Sequence, residues 1–396
     1  MSADRDEYAD RVRAWADQLR GGSTRTWPEF LAAGPSAPAG PSDRPLPGAA
    51  QLELVRRLAG TDLPDFGRLA DLVLTSAGAG RGLVDVPLPW PADAPADRIG
   101  SPPTEPAELP ADEILRVCAT VLGQLLAAEP AAPPRRDHHP WRPWRRRFAL
   151  LGAPTTVALV RSALRSQGLR EGGARTTYFV LGGPLEDLMA QRWSARVRAG
   201  AGMRWQRMWR TAETNDRVPP GVALPALAQR LAEQVDPSRV HVVLAADATT
   251  ALAHVAEVLG VAGHPVAERP DTLATDLLRR VNPVLGLRVG DEERRRVVGR
   301  TWRELAGGEG PYPLAAPARR QDWAVRTGER MAEELTAPRY AVHGDPSLVV
   351  PARRPGVRRA PDPDDVLRHA VVVIGRAWRR TVDRERPAGE ARWHGR

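Results

Sequence analysis

The sequence predicts an α/β protein in which a small parallel sheet is flanked by helices and follows a helical, proline-rich N-terminal region. Each of three short apolar runs leads into a helical pattern: FALLG at 148–152, TTYFVLGG at 176–183 and RVHVVLA at 239–245. Unbroken apolar runs that alternate with helices are typical of buried parallel strands. Before residue 148, helical periodicity is interrupted by proline-rich stretches, and no strand is evident there.

Shifts in composition divide the chain into four predicted segments. The segments are a helical, proline-interrupted N-terminal region (1–130), a basic linker rich in Trp and Arg (131–147), the α/β domain (148–350) and a basic tail with one helix (351–396). The strands of the α/β domain are expected to lie side by side, so that the glycine turns after the first two strands share one edge of the sheet. Ligands bind at that carboxyl edge in open α/β sheets.

Composition and the N-terminal sequence indicate the cellular compartment of the protein. No run approaches the roughly 18 apolar residues that a membrane-spanning helix needs, so we expect no membrane insertion. The start of the chain, MSADRDEYAD, is acidic and lacks the apolar core of a secretory signal. The single cysteine, Cys118, cannot form an internal disulfide, which is typical of a reducing compartment. We therefore expect a soluble cytoplasmic protein in which Cys118 is a buried apolar side chain.

The absence of lysine excludes several kinds of chemistry. The 396-residue chain contains 57 basic residues, and every one of them is arginine. A Schiff base, a phosphate-loop lysine and a lysine general base are all excluded by this composition.

The positive charge lies in three segments. The net charge is +9, and residues 135–147, 192–210 and 352–396 carry six, six and twelve arginines. Tryptophans accompany these arginines: Trp205 and Trp209 share a predicted helix face with Met208, and Trp141 and Trp144 lie in the linker. On the predicted helix this pattern is compatible with binding to nucleic acid or anionic lipid, but tryptophans in the core with arginines at the surface are favoured. In the linker, stacking on bases and packing on the following domain are equally compatible with the sequence.

Histidines give weaker signals. His138 and His139 are adjacent, which is not the spacing of a helical metal pair, so we expect no metal site there. His343, Gly344 and Asp345 form a predicted turn in which a hydrogen-bonded structural role is favoured over an acid–base pair. His241, on the third strand, is interpreted as structural.

Three stretches carry a resemblance to a known family. They are LLGAPTTVALVRSAL, YFVLGGPLEDLMAQRWSARVR and LPALAQRLAEQVDPSRVHVVLA, in that order along the chain. Together they resemble the actinobacterial sulfotransferase-like P-loop proteins, over residues 148–345. The resemblance implies a nucleotide site at the first two strand ends, formed by Gly152, Pro154, Thr155, Thr156, Gly182 and Gly183.

The chain departs from the family at both phosphate-binding turns. The family's first loop reads G-x-P-K-x-G-T-T, whereas residues 152–156 read GAPTT and lack the lysine and the second glycine. The family's Arg-Asp-Pro turn is replaced by Gly-Gly-Pro at 182–184. Such a loop holds phosphate through converging backbone N–H groups and a lysine, so the implied site is degenerate.

Three functions remain open at this point. The first is a non-catalytic binding or accessory protein, without a cofactor, whose partner is another protein or an anionic ligand. The second is a sulfotransferase with a remodelled nucleotide site that uses arginines such as Arg175 or Arg192. The third is a nucleic-acid-associated protein that uses the basic segments. No catalytic residue is identified by the sequence.

Overall fold

The computed structural model describes residues 2–34, 46–80, 86–89, 103–130, 146–263, 271–306, 312–336, 339–352 and 356–386. Nearly all of the predicted basic linker, including His138, His139, Trp141 and Trp144, lies outside these described residues.

Helices dominate the described residues, and five strands form one sheet. In chain order the elements are α1 (Ser2–Arg20), α2 (Trp27–Ala32), α3 (Ala49–Ala59), α4 (Phe66–Leu74), α5 (Ala111–Ala127), β1 (Arg147–Gly152), α6 (Pro154–Ser166), β2 (Arg170–Glu171), β3 (Thr176–Gly182), α7 (Leu185–Arg198), α8 (Trp205–Thr214), α9 (Leu224–Gln234), β4 (Val240–Leu244), α10 (Ala248–Leu259), α11 (Thr272–Arg288), α12 (Asp291–Leu305), α13 (Gln321–Thr336), β5 (Ala341–His343) and α14 (Pro363–Glu385). Short 3₁₀ turns occupy Pro106–Glu108, Pro237–Arg239, Ala318–Arg320 and Pro346–Val349.

The chain forms two compact units. The helical unit comprises residues 1–131, 280–307 and 362–396, and the α/β unit comprises residues 132–279 and 308–361. The sequence predicts 280–307 as part of the α/β domain and 362–396 as part of a basic tail. The structure groups both with the N-terminal helices instead, because apolar faces of α12 and α14 pack in that unit.

In the helical unit, α5 provides the central apolar surface, on which α3 and α14 pack. Cys118 lies on α5 and is fully buried. Burial raises the pKa of its thiol to about 12, because the thiolate would lose its hydration. Cys118 is therefore a buried apolar side chain, as predicted.

The sheet of the α/β unit is parallel throughout, with the strand order β2-β1-β3-β4-β5. Its register places Gly152 beside Leu181 and Gly182 beside Leu244, so the two glycine turns share the carboxyl edge. The predicted α/β class, with a small parallel sheet flanked by helices, is confirmed. The two short edge strands, β2 and β5, extend the three predicted strands on either side.

Both faces of the sheet are covered, which explains the unbroken apolar runs. Phe179 and Val243 pack with apolar residues of α6 and α10 on one face. Val180 and Val242 alternate with them and are also fully buried. On that second face, α9 packs against β3 and β4.

Among the helices of the described residues, none combines the length and the apolar character that a bilayer span requires.

Candidate functional site

The connections of the sheet point to one position for a ligand. After β1 the chain passes through α6 to β2 on one side, and after β3 it passes to β4 on the other side. This reversal creates a topological switch point between β1 and β3, and open α/β sheets bind ligands outside the strand ends at such a point. Gly152 and Gly182 end β1 and β3, and the other predicted site residues follow within four positions, so they lie at this position.

Gly152 closes the end of β1 in a conformation that requires glycine. Its φ is +102°, and a Cβ atom there would lie 2.1 Å from the carbonyl oxygen of Leu181. The close approach allows Ala153 N–H to donate a hydrogen bond of 2.9 Å to that oxygen. The β1–α6 turn is thus fixed against β3, and Pro154 starts α6 where a proline is favoured.

The first N–H groups of α6 are bound by a side chain from the same unit. Gln191 Oε1, on α7, accepts hydrogen bonds from Thr155 N–H at 3.0 Å and from Thr156 N–H at 3.2 Å. Gln191 Nε2 also donates to Thr156 Oγ1 at 3.2 Å, and the Gln191 side chain is buried. A free helix N-terminus attracts anions. Here the amide oxygen of Gln191 occupies the place that a phosphate oxygen would take.

A cavity of about 140 Å³ lies beside this turn, at the ends of β3 and β4. Its lining includes Thr156, Gly182 and Gly183, whereas Gly152, Pro154 and Thr155 form the adjoining turn. Pockets for drug-sized ligands measure roughly 300–1,000 Å³. The cavity of this structure is therefore smaller than the site that a nucleotide needs.

The charged side chains among the described lining residues of this cavity are two carboxylates. Asp187 of α7 and Asp247, at the start of α10, line it, and no arginine is among its described lining residues. Asp247 also caps α10 by accepting a hydrogen bond of 2.8 Å from Thr250 N–H. The described lining of the cavity therefore offers an anion no guanidinium group.

Arg175 and Arg192, which a remodelled sulfotransferase site would use to bind phosphate, do not line the cavity. Arg175 immediately precedes β3, so it lies at the amino edge of the sheet, opposite the cavity. Arg192 follows Gln191 on α7, and its Nε atom is buried without a hydrogen-bond partner among the described residues. Neither arginine is placed to compensate for the absent lysine.

The roles of Gln191 and Asp247 at this site were not predicted from the sequence. Gln191 carries no local signal, because its partners lie 36 and 35 residues earlier in the chain. Asp247 could have been found, since an Asp directly after a strand and before a helical pattern is a helix-capping signal.

A second cluster joins two histidines that are far apart in the sequence. His241 Nδ1 lies 3.0 Å from His343 Nε2, across the pairing of β4 with β5. His254 of α10 lies next to His343, with 6.3 Å between ring centroids. His241 and His343 are therefore hydrogen-bonded partners within the sheet, and His343 ends β5 instead of lying in the predicted turn.

Burial disfavours the charged form of both imidazoles. Burial lowers the pKa of His241, and His343 lowers it further. Burial and then His254 lower the pKa of His343, while Glu257 acts in the opposite direction. Because these pKa values are lower in the folded protein, the two histidines bind protons more readily in the unfolded chain. Their contribution to the free energy of unfolding is therefore fully present above the pKa of the unfolded chain, and it is lost as the pH falls below that value.

We expect the free energy of unfolding to fall as the pH is lowered from about 7.5 to about 5.5, and this pH dependence to weaken in His343→Gln. Glutamine keeps a hydrogen-bonding group but does not titrate. Urea unfolding at a series of pH values measures both slopes, and the carboxylates common to both proteins cancel in the comparison. Equal slopes in the two proteins would contradict the role of this pair.

The tryptophans of the basic region are core residues. Trp205, Met208 and Trp209 are buried on one face of α8, as the packing interpretation predicted. Their rings are not exposed for stacking on bases, which removes one part of the proposed nucleic-acid interaction.

Groups of three or more His, Cys, Asp or Glu side chains that could hold a metal ion do not occur in the part of the chain that the structure describes.

Comparison with protein families, with characterised proteins and with solved structures gave no match. The resemblance to sulfotransferase-like P-loop proteins therefore stays a prediction from the sequence. The observations that bear on function are therefore those of the α/β unit itself.

Proposed function

We propose that this chain is a non-catalytic binding or accessory protein, whose α/β unit resembles sulfotransferase-like P-loop proteins without their nucleotide chemistry. One observation carries the proposal: Gln191 binds the N–H groups of Thr155 and Thr156. In a phosphate loop these groups would be free for the nucleotide. A cofactor phosphate would have to displace a buried, hydrogen-bonded side chain to reach them.

The lining of the cavity supports the same proposal. Among its described residues it holds two carboxylates, Asp187 and Asp247, and no arginine. The main competing function, a sulfotransferase with a remodelled site, requires cations that the described lining does not provide.

A turnover assay separates the two functions. The protein is incubated with 3′-phosphoadenosine-5′-phosphosulfate and a phenol acceptor, and release of the desulfated nucleotide is followed. We expect no release above the rate without protein. Release that is lost in Thr156→Val would overturn the proposal, because Thr156 lines the cavity and the loss would place the reaction there.

The role of Gln191 is tested by stability. Gln191→Ala leaves two N–H groups of α6 without their acceptor, so we expect the free energy of unfolding to fall by about 1–2 kcal/mol. Gln191→Glu keeps an acceptor of nearly the same shape, and we expect it to retain most of the stability at neutral pH. Urea unfolding measures both. Equal losses in the two variants would show that hydrogen bonding to α6 is not what Gln191 contributes.

A further inference from the structure

A cleft of about 250 Å³ lies elsewhere in the α/β unit, between the end of α7, α8 and the segment after α8. Two arginines, one amide and one hydroxyl line it together with apolar side chains. The polar residues are Arg196, Arg217, Asn215 and Thr211, and Met203 and Met208 are among the apolar ones. The cleft thus combines a cationic part with an apolar part.

The acids closest in sequence to this cleft are already engaged. Glu213 lies 3.1 Å from Arg320 Nε. Asp216 accepts a hydrogen bond of 2.9 Å from Trp323 Nε1 and lies 3.4 Å from Arg330. No carboxylate is among the described residues that line the cleft, so Arg196 and Arg217 give it a net positive charge.

A third arginine adds to the positive charge one turn away on α7. Arg192 lies four residues before Arg196, a spacing at which like charges repel on a helix. Burial lowers the pKa of the Arg192 guanidinium, and Arg196 lowers it further. An anion near Arg196 would relieve this repulsion.

The walls of the cleft are held by aromatic packing. Four buried tryptophan rings form a chain of contacts, in which Trp193 contacts Trp205, Trp205 contacts Trp209, and Trp209 contacts Trp323. Trp193 Nε1 also donates a hydrogen bond of 2.7 Å to the carbonyl oxygen of Met203. These contacts hold Met203 and the buried face of α8, which form one side of the cleft.

We propose that this cleft binds a small organic anion that has one carboxylate or phosphate group on a compact apolar body. Arginine guanidinium groups match such head groups with two parallel hydrogen bonds. Met203, Val218 and Pro219 offer apolar contacts for the rest of the ligand. The volume is just below the range of drug-sized pockets, so it admits a ligand of about one ring.

Methionine methyl groups report on this cleft directly. The chain has five methionines, of which Met203 and Met208 line the cleft. In protein labelled with ¹³C at the methionine methyls, we expect phenyl phosphate or benzoate to shift the Met203 and Met208 resonances in a saturable way. The resonances of Met189 and Met331 should stay in place. Met203→Leu and Met208→Leu assign the signals.

Matched probes and variants separate the contributions. Benzyl alcohol lacks the charge and inorganic phosphate lacks the ring, so each is expected to bind more weakly than phenyl phosphate. Arg196→Ala and Arg217→Ala should each weaken phenyl phosphate about tenfold, from the loss of a charged hydrogen bond. Arg207→Ala, which removes an exposed arginine of α8 that does not line the cleft, should leave the affinity unchanged.

Two results would overturn the proposal. The first is the absence of any shift at Met203 and Met208 with both aromatic anions at millimolar concentration. The second is an equal loss of affinity in Arg207→Ala and Arg196→Ala. Equal losses together with salt-sensitive binding of a single-stranded oligonucleotide would instead assign the arginines to a general surface for polyanions.

Discussion

Gly152→Ala is expected to lower the free energy of unfolding by roughly 3–5 kcal/mol. Two costs combine at this position. A φ of +102° is unfavourable for any residue with a Cβ atom, and the added Cβ would lie 2.1 Å from the Leu181 carbonyl oxygen. Because that oxygen belongs to the backbone of a central strand, the clash can be relieved only by separating β1 from β3.

Gly172→Ala is the matched control for this prediction. Gly172 also has a positive φ, of +76°, but a Cβ atom there would meet nothing within 4 Å. We therefore expect a loss of only about 1 kcal/mol, from backbone strain alone. Urea unfolding followed by circular dichroism measures both variants. A loss in Gly152→Ala no larger than that in Gly172→Ala would show that β1 and β3 do not approach each other as closely as the structure places them.

Trp209→Ala is expected to lower the free energy of unfolding by about 3–5 kcal/mol. The Trp209 side chain is fully buried and lies between the rings of Trp205 and Trp323. Its removal leaves a cavity at the junction of α8 and α13, and it also loosens the wall of the arginine-lined cleft. We expect phenyl phosphate to bind this variant more weakly than it binds the original protein.

Arg210→Ala controls for the position of this change on α8. Arg210 is the next residue and is exposed, so its replacement should alter the free energy of unfolding by less than about 0.5 kcal/mol. Urea unfolding monitored by circular dichroism compares the two variants without depending on the number of tryptophans. Similar losses in both would contradict the assignment of Trp209 to the core.

The central strands could be predicted because burial on both faces leaves a continuous apolar run. β1, β3 and β4 each have such a run. β2 has two residues and β5 has three, which is too short for any periodicity to appear. The end of α7 has a local cause that is visible in the sequence, which is the glycine at position 200. Gly200 adopts a positive φ just after α7, a conformation that favours glycine at the end of a helix.

The side-chain hydrogen bonds of the two sites could not be predicted from the sequence, because they join residues that come together only in the folded protein. Gln191 lies on a helix that follows the next strand, and its contact with Thr155 depends on how α6 and α7 pack. The hydrogen bond between His241 and His343 spans 102 residues and depends on the pairing of β4 with β5. The positions of the glycine turns were predictable, because parallel strands place their carboxyl ends at one edge.

A titration followed at the amide groups of Thr155 and Thr156 tests whether Gln191 closes the start of α6 to a nucleotide. In protein labelled with ¹⁵N at threonine, 3′-phosphoadenosine-5′-phosphosulfate is added up to millimolar concentration and the two amide resonances are recorded. This measurement distinguishes the start of α6 from the arginine-lined cleft, where Thr211 reports independently. We predict that the Thr155 and Thr156 resonances do not move, because Gln191 holds both N–H groups. Saturable shifts of both resonances would show that the nucleotide displaces Gln191, and would contradict the account of a closed site.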